Sequence, residues 1–286
     1  IGAASGMDKD QRSYRAEENH RGTRKAKRMK VVFRADASVE IGTGHVMRCL
    51  TLAEELRERG AEVYFSCVAL PGNLIQYIRE HGYDCHVLAK TDELILVQGD
   101  WLVVDHYQLD YEWENLMRAH FNKVFIIDDL ANRKHDCDVL LDQNYFSNQE
   151  KRYQDLISEA CHIFCGPRHT LLRKEFWNER QGFIRKNDKV KNILVSFGGT
   201  DPSGETLRFL RWWKAVSIEY TQLALLVVVG ENCLDKKKIL AFAQTMKNIS
   251  IHIQTKQMAK LICEADIGVG SGGSSIWERC YLELPT

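Results

Sequence analysis

Hydrophobic and polar residues follow two alternating spacings from residue 29 onward. Residues 30–36 (KVVFRAD) form a short, nearly continuous apolar run, whereas apolar residues recur every three or four positions over residues 45–59. The first spacing is typical of a strand buried on both faces, and the second of a helix with one buried face. Together they predict a strand, a polar turn containing two glycines, and a helix that ends near Gly60.

The same succession recurs along the rest of the chain. Further strands are predicted over residues 62–68, 84–88, 101–107, 123–130, 137–144, 162–166, 192–199, 223–230, 249–254 and 266–273. Helices are predicted over residues 73–82, 203–214, 234–246, 258–265 and 274–283. Strands that alternate with helices indicate parallel sheets with right-handed crossovers, so the fold class is α/β.

A charged stretch without a strand divides this pattern in two. We therefore predict a Rossmann-like N-terminal domain over residues 29–165, a connection with a short helix over 166–190, and a second Rossmann-like, nucleotide-binding domain over 191–286, with a cleft between them. The last residues stop where a helix should finish and another strand begin, so the second sheet is expected to be incomplete. Residues 1–28 lack apolar periodicity and carry eight Lys or Arg against four Asp or Glu. They are predicted to be a disordered or expression-derived tail.

Composition narrows the classes of partner. Lys plus Arg and Asp plus Glu both number 39, so no overall basic field attracts nucleic acid or an anionic membrane. No apolar run approaches the length of a membrane-spanning helix. The nine cysteines are scattered without C-x-x-C pairs, which favours reduced thiols in the cytoplasm. A small ligand is therefore expected, and the oligomeric state is left open.

Glycine-rich turns follow three of the predicted strands. These turns contain Gly42, Thr43 and Gly44; Gly198, Gly199, Thr200 and Asp201; and Gly270, Gly272, Gly273, Ser274 and Ser275. Small residues before a helix let backbone N–H groups approach a phosphate, although each turn taken singly also fits a plain tight turn. Neither a Walker A lysine nor a full G-x-G-x-x-G is present. Three such turns in one chain favour a ligand with a diphosphate, and Glu278 one helical turn later suits ribose hydroxyls or a surface ion pair.

His45 begins the helix that follows the first glycine turn. The helix dipole disfavours imidazolium there, so the neutral ring could act as a general base, although a capping or packing role fits the same position. His106 and Tyr107 follow a strand that could border the same cleft. Asp105, Asp128 and Asp129 leave open a magnesium site, and Cys161, His162 and Cys165 a zinc site. We favour neither metal.

Several longer motifs resemble those of a known family. IGTGHVMRCLTLA, VVDHYQLDYEWE, IDDLANRKHDCDVLLDQN, GPRHTLLRKEF, VSFGGTDP and GSGGSSIWERCYLELPT occur in the order typical of the PseG UDP-sugar hydrolases of pseudaminic acid biosynthesis and the related SpsG spore coat polysaccharide proteins. The resemblance covers residues 29–286. It implies the GT-B architecture of the MurG-like superfamily, in which two Rossmann-like domains face a cleft.

The resemblance also implies roles for single residues. His45 matches the family's base for water and Tyr107 its active-site tyrosine. Substrate contacts are expected from Gly42, Thr43, Gly44, Arg48, Asp105 and His106. UDP contacts are expected from Gly198, Gly199, Thr200, Asp201, Gly272, Gly273, Ser274, Ser275 and Glu278. The family continues beyond the point where this sequence stops, which leaves the activity of a chain ending at Thr286 open.

The implied reaction is hydrolysis of UDP-2,4-diacetamido-2,4,6-trideoxy-β-L-altropyranose, or a close relative, to UDP and free sugar. UDP is a good leaving group, so the chemistry needs one base to deliver water to the opposite face of the anomeric carbon, with inversion and without a metal or cofactor. A GT-B glycosyltransferase that uses a UDP-sugar donor and a catalytically silent nucleotide-sugar binding module are the alternatives.

Overall fold

The computed structural model describes residues 28–185 and 189–286, and their strands form two separate parallel sheets. The predicted tail lies outside the described residues, apart from Arg28. The first sheet contains β1 (Lys30–Ala35), β2 (Glu62–Val68), β3 (Asp84–Leu88), β4 (Gly99–Asp105), β5 (Phe121–Ile127), β6 (Val139–Asp142) and β7 (His162–Cys165). The second contains β8 (Asn192–Ser196), β9 (Ala224–Val229), β10 (Ile249–Ile253) and β11 (Ile267–Gly270). We call the two sheets with their helices the N-terminal and C-terminal lobes.

Helices connect the strands in both lobes. The N-terminal lobe contains α1 (Gly44–Glu58), α2 (Ile75–Glu80) and α3 (Tyr111–Met117), and α4 (Lys174–Arg180) lies in the connection. The C-terminal lobe contains α5 (Glu205–Val216), α6 (Lys236–Ala243), α7 (Met258–Glu264) and α8 (Ser274–Tyr281). Two short 3-10 turns span Gln149–Lys151 and Pro167–His169. No helix among the described residues is long and apolar enough to cross a membrane.

Because all strands of each sheet run parallel, the turns that follow them lie together at the carboxyl edge of that sheet. The first sheet has the order β3-β2-β1-β4-β5-β6-β7 and the second β10-β9-β8-β11, with every pair parallel. The order reverses beside β1 in one sheet and beside β8 in the other. Crevices at such reversals are the usual ligand sites of open α/β sheets.

Apolar side chains on both faces of the first sheet explain its continuous hydrophobic runs. Val31 and Phe33 of β1 share a buried cluster with Val46 of α1, while Val32 belongs to the cluster on the opposite face with Trp113 of α3. This two-sided burial is characteristic of parallel sheets covered by helices. The same arrangement recurs in the C-terminal lobe, whose two buried clusters lie on opposite sides of β8.

One helix escaped the sequence pattern. Helix α3 was not predicted, because its buried face contains the charged Glu114 beside Trp113 and Met117 and therefore lacks an apolar period. Its start is fixed by Asp110, whose carboxylate accepts hydrogen bonds from the backbone N–H groups of Glu112 and Trp113.

The nine cysteines are free thiols, as predicted.

Candidate active site

A cleft of about 410 Å³ lies between the two lobes. The N-terminal lobe contributes residues 40–44 to its wall, from the turn after β1. The C-terminal lobe contributes residues 196–200, 228–230 and 271–273, which follow or end β8, β9 and β11. Further polar residues on the wall are Arg173, Asn232, Gln254, Thr255, Ser275 and Glu278. The volume lies within the range of small-ligand pockets.

The glycine turns approach one another closely in this cleft. A Cβ atom built on Gly230 would lie 2.0 Å from the carbonyl oxygen of Gly199, so only glycine fits there. A Cβ atom on Gly199 would lie 3.0 Å from Oγ1 of Thr43, which comes from the other lobe. Because these positions lack side chains, backbone N–H groups are what the turns present to a ligand.

His45 is the second residue of α1 and follows Gly44, which lines the cleft. The side chains of His45 and Tyr107 are not themselves part of the cleft wall. Its side chain is buried, and Nδ1 lies 2.5 Å from Oδ1 of Asp105. Its ring meets the ring of Tyr107 edge-on, with centroids 4.6 Å apart. No described residue makes a hydrogen bond to the other ring nitrogen, Nε2. The geometry therefore leaves one nitrogen of His45 for a ligand or water.

Asp105 ends β4 and is completely buried. Besides His45, it pairs with Arg48, whose Nε donates to Oδ2 and whose Nη2 donates to Oδ1 at 2.6 Å. Burial alone would raise the pKa of Asp105, but Arg48 and His45 outweigh it and hold that pKa well below its usual range. The carboxylate is therefore charged and fully engaged.

Tyr107 follows β4 and is 42% exposed, so its hydroxyl can meet a ligand. Burial of the ring and the nearby charge of Asp129, which is also a hydrogen-bond partner, raise the pKa of Tyr107 to about 12. The hydroxyl consequently keeps its proton at neutral pH and donates it to Asp129, while its oxygen remains available as an acceptor.

Arg173 links the connection to the C-terminal lobe at the wall of the cleft. Its Nε and Nη2 donate to Oε1 of Glu278 at 3.2 and 2.9 Å, and its Nη1 pairs with Glu175 at 2.5 Å. Burial raises the pKa of Glu278, and the charge of Arg173 opposes that effect. Among the described residues, Arg173 is the one cationic side chain on the wall of this cleft. Sequence reasoning missed it, since a lone arginine in a charged connection carries no local signal.

Three residues predicted to contact the sugar take supporting positions instead. Arg48 and Asp105 are buried against each other. His106 is 5% exposed, with Nε2 3.1 Å from Oδ2 of Asp36 and Nδ1 accepting the backbone N–H of Gln108. Asp105 and His106 lie at the buried end of the central strand β4, and Arg48 lies on the face of α1 that packs against it, so their polar atoms already have partners. The prediction of direct substrate contact is corrected for these three.

The predicted UDP residues fall into two groups. Most of them line the cleft: Gly198, Gly199, Thr200, Gly272, Gly273, Ser275 and Glu278. So do Gly42, Thr43 and Gly44, predicted for the sugar. Asp201 is an exception, because it is buried and accepts the backbone N–H groups of Glu205 and Thr206 at the start of α5. Ser274 begins α8, but its side chain lies outside the described part of the structure.

The two metal alternatives find no support in the geometry. Asp128 is buried beneath Arg133 and Tyr153, whereas Asp129 turns toward Arg48 and Asn144. Across residues 28–185 and 189–286, no three His, Cys, Asp or Glu side chains gather in a way that could hold a metal ion.

Two curated proteins match nearly the whole chain. The UDP-2,4-diacetamido-2,4,6-trideoxy-β-L-altropyranose hydrolase of Campylobacter jejuni is 29% identical over 259 residues, which cover 89% of each chain. The spore coat polysaccharide biosynthesis protein SpsG of Bacillus subtilis is 24% identical over 268 residues, covering 90% of this chain and 76% of that protein. Both are homologues of this chain. The resemblance to PseG and SpsG, predicted from the motifs, is thereby confirmed. No family model matches.

Solved structures confirm the fold class. A UDP-glucosyltransferase from Polygonum tinctorium superposes with a TM-score of 0.51 at 13% identity, covering 91% of this chain and 79% of that one. The UDP-GlcNAc 2-epimerase from Methanocaldococcus jannaschii gives 0.50 at 10% identity, with 90% and 82% covered. At such low sequence identities the structural similarity supports only the fold, which is GT-B-like.

Proposed function

We propose that this chain hydrolyses a UDP-activated amino sugar, UDP-2,4-diacetamido-2,4,6-trideoxy-β-L-altropyranose or a close relative, to UDP and free sugar. The carrying observation is a cleft bounded by glycine turns from both lobes, with His45 next in sequence to Gly44 on its wall. One ring nitrogen of this histidine has no partner among the described residues, and the glycine turns of the C-terminal lobe present backbone N–H groups. The hydrolase from Campylobacter jejuni acts on this sugar nucleotide, according to its name.

In the proposed complex the C-terminal lobe holds the nucleotide. Backbone N–H groups of Gly198, Gly199, Gly272 and Gly273 contact the diphosphate, where the start of α8 adds favourable partial charge. Arg173 supplies the positive side chain that offsets the charge developing on the departing UDP. Glu278 keeps Oε2 outside its bond to Arg173, and this oxygen accepts from ribose hydroxyls.

The N-terminal lobe then delivers water to the anomeric carbon. Nε2 of His45 accepts a proton from the water as its oxygen bonds to that carbon and the bond to the UDP oxygen breaks. Tyr107 donates its one hydroxyl hydrogen to Asp129, so its oxygen accepts a hydrogen bond from a sugar hydroxyl or from the water. Attack opposite the leaving group inverts the anomeric configuration.

NMR of the intact chain with a panel of UDP-sugars tests this proposal. We expect UDP and free sugar to appear together without any acceptor, and the first-formed anomer to be inverted relative to the substrate. UDP release that requires an added sugar or peptide acceptor would instead identify a transferase. UDP binding with no turnover on any sugar nucleotide would identify a silent binding module.

A further inference from the structure

A hydrogen-bonded network of side chains connects His45 to helix α8 in the opposite lobe. We call it the Asp105 network and define it, in order from the cleft, as His45, Asp105, Arg48, Asp129, Asn144 and Trp277. His45 and Arg48 lie in α1, Asp105 ends β4, Asp129 and Asn144 follow β5 and β6, and Trp277 lies in α8 of the other lobe. None of them except His45 has a role in the proposed reaction.

The first bond of this network decides where the proton of the imidazole resides. A carboxylate has no hydrogen to donate, so the 2.5 Å contact between Asp105 Oδ1 and His45 Nδ1 requires the hydrogen on Nδ1. Arg48 Nη2 also lies 3.3 Å from Nδ1, but its nearer acceptor is Asp105 at 2.6 Å. A neutral ring with Nδ1–H carries its lone pair on Nε2, the atom that has no partner among the described residues.

The second part of the network fixes Asp105 and extends to the other lobe. Arg48 pairs with both oxygens of Asp105 through Nε and Nη2, and its Nη1 lies 3.5 Å from Oδ2 of Asp129. Asn144 donates from Nδ2 to the same oxygen of Asp129 at 3.2 Å. Finally, Nε1 of Trp277 donates to Oδ1 of Asn144 at 3.0 Å, across the lobes and next to Glu278.

We propose that the Asp105 network positions His45 as the Nδ1–H tautomer and that the Trp277–Asn144 bond makes this positioning depend on the placement of α8. Asp105, Arg48, Asn144 and Trp277 are thus positioning residues, which act through His45. The inference rests on the proposed function only for its kinetic readouts. Since α8 also carries Glu278 at the nucleotide site, the contact between lobes that holds UDP also steadies the base.

¹⁵N NMR of histidine-labelled wild-type protein tests the tautomer without any substrate. We expect His45 to give the signals of a protonated Nδ1 and an unprotonated Nε2, and Asp105→Asn to lose this preference. A wild-type ring with its hydrogen on Nε2 would overturn the inference. This readout also stands if the variant fails to fold, or if no UDP-sugar is hydrolysed and the proposed function fails.

Kinetics test the link to the other lobe. Trp277→Phe keeps an aromatic ring but removes the N–H, so we expect kcat to fall about 2- to 10-fold, the effect of one neutral hydrogen bond, with the Kd for UDP unchanged. Asp105→Asn should lower kcat about 10²- to 10⁴-fold, the range of a general base. Trp212→Phe, at an exposed position of α5, is the matched control and should retain wild-type kcat.

A double-mutant cycle separates a connected network from two independent effects. Combining Trp277→Phe with Asp105→Asn should cost less than the product of the single losses, because the second change acts on a base that is already misplaced. Independent, multiplying losses would overturn the proposed link, as would a kcat for Trp277→Phe equal to that of Trp212→Phe.

Discussion

Replacing Gly230 with alanine should disrupt the nucleotide half of the cleft from within the backbone. The added Cβ would lie 2.0 Å from the carbonyl oxygen of Gly199 and 2.7 Å from its carbonyl carbon, whereas real Cβ contacts almost never fall below 3.0 Å. The turns after β8 and β9 must therefore separate by about 1 Å. Neither atom belongs to a flexible side chain, so no rotamer change can relieve the contact.

Both stability and UDP affinity should respond. Overpacking of this kind costs about 1–3 kcal/mol, which urea unfolding followed by tryptophan fluorescence would measure. Gly199 is among the residues proposed to contact the diphosphate, so a displacement of about 1 Å should also weaken UDP binding in calorimetry by about 10-fold or more. Unaltered stability together with unaltered UDP affinity would refute the close approach of these turns.

Gly272→Ala is the matched control within the same cleft. A Cβ built there meets no heavy atom within 4 Å, and its backbone is not left-handed. The free energy of unfolding should therefore change by no more than about 0.5 kcal/mol. UDP affinity should nevertheless fall, because the new methyl group occupies the space that the proposal gives to the diphosphate. Wild-type affinity in Gly272→Ala would remove the diphosphate from this turn.

Four further predictions address the base, the cation, the metal and acid stability. His45→Ala should retain UDP binding in calorimetry but lose UDP-sugar hydrolysis; an undiminished kcat would remove the base. Arg173→Gln should raise the Kd for UDP about 10- to 100-fold, the worth of a charged hydrogen bond, and an unchanged Kd would place the diphosphate elsewhere. EDTA should leave the rate of hydrolysis unchanged, and inhibition that Mg²⁺ reverses would contradict the metal-free reaction. Although burial opposes it, hydrogen bonds from Lys123, the Val124 backbone and Arg118 lower the pKa of Asp138 from 3.8 to about 2. Asp138→Asn should therefore cost about 2 kcal/mol in urea unfolding at pH 7, and most of the difference from wild type should be lost as the pH falls from about 4 to 2, since only the charged carboxylate is stabilised; an undiminished difference at pH 2 would contradict this.

The sequence determined the elements and the chemistry of the turns between them. Burial of a strand on both faces and of a helix on one face leaves a local record in residue spacing, so nearly all strands and helices were predictable. Glycines before helices likewise marked the turns that line the cleft, and His45 stood out because it followed such a turn. Helix α3 was not predicted because its buried face contains the charged Glu114 beside Trp113 and Met117, so no apolar period marks it.

Only the tertiary structure decided which residues support the base and the nucleotide. His45 and Asp105 are 60 positions apart, Arg173 and Glu278 are 105 apart, and Trp277 is 133 from Asn144. Such pairs form because strand order brings β1 beside β4 and because the lobes meet, and neither fact is written in local spacing. The sequence therefore predicted that Asp105, at the end of a strand, contacts the substrate. In the structure it is buried against Arg48 and contacts the ring of His45 instead.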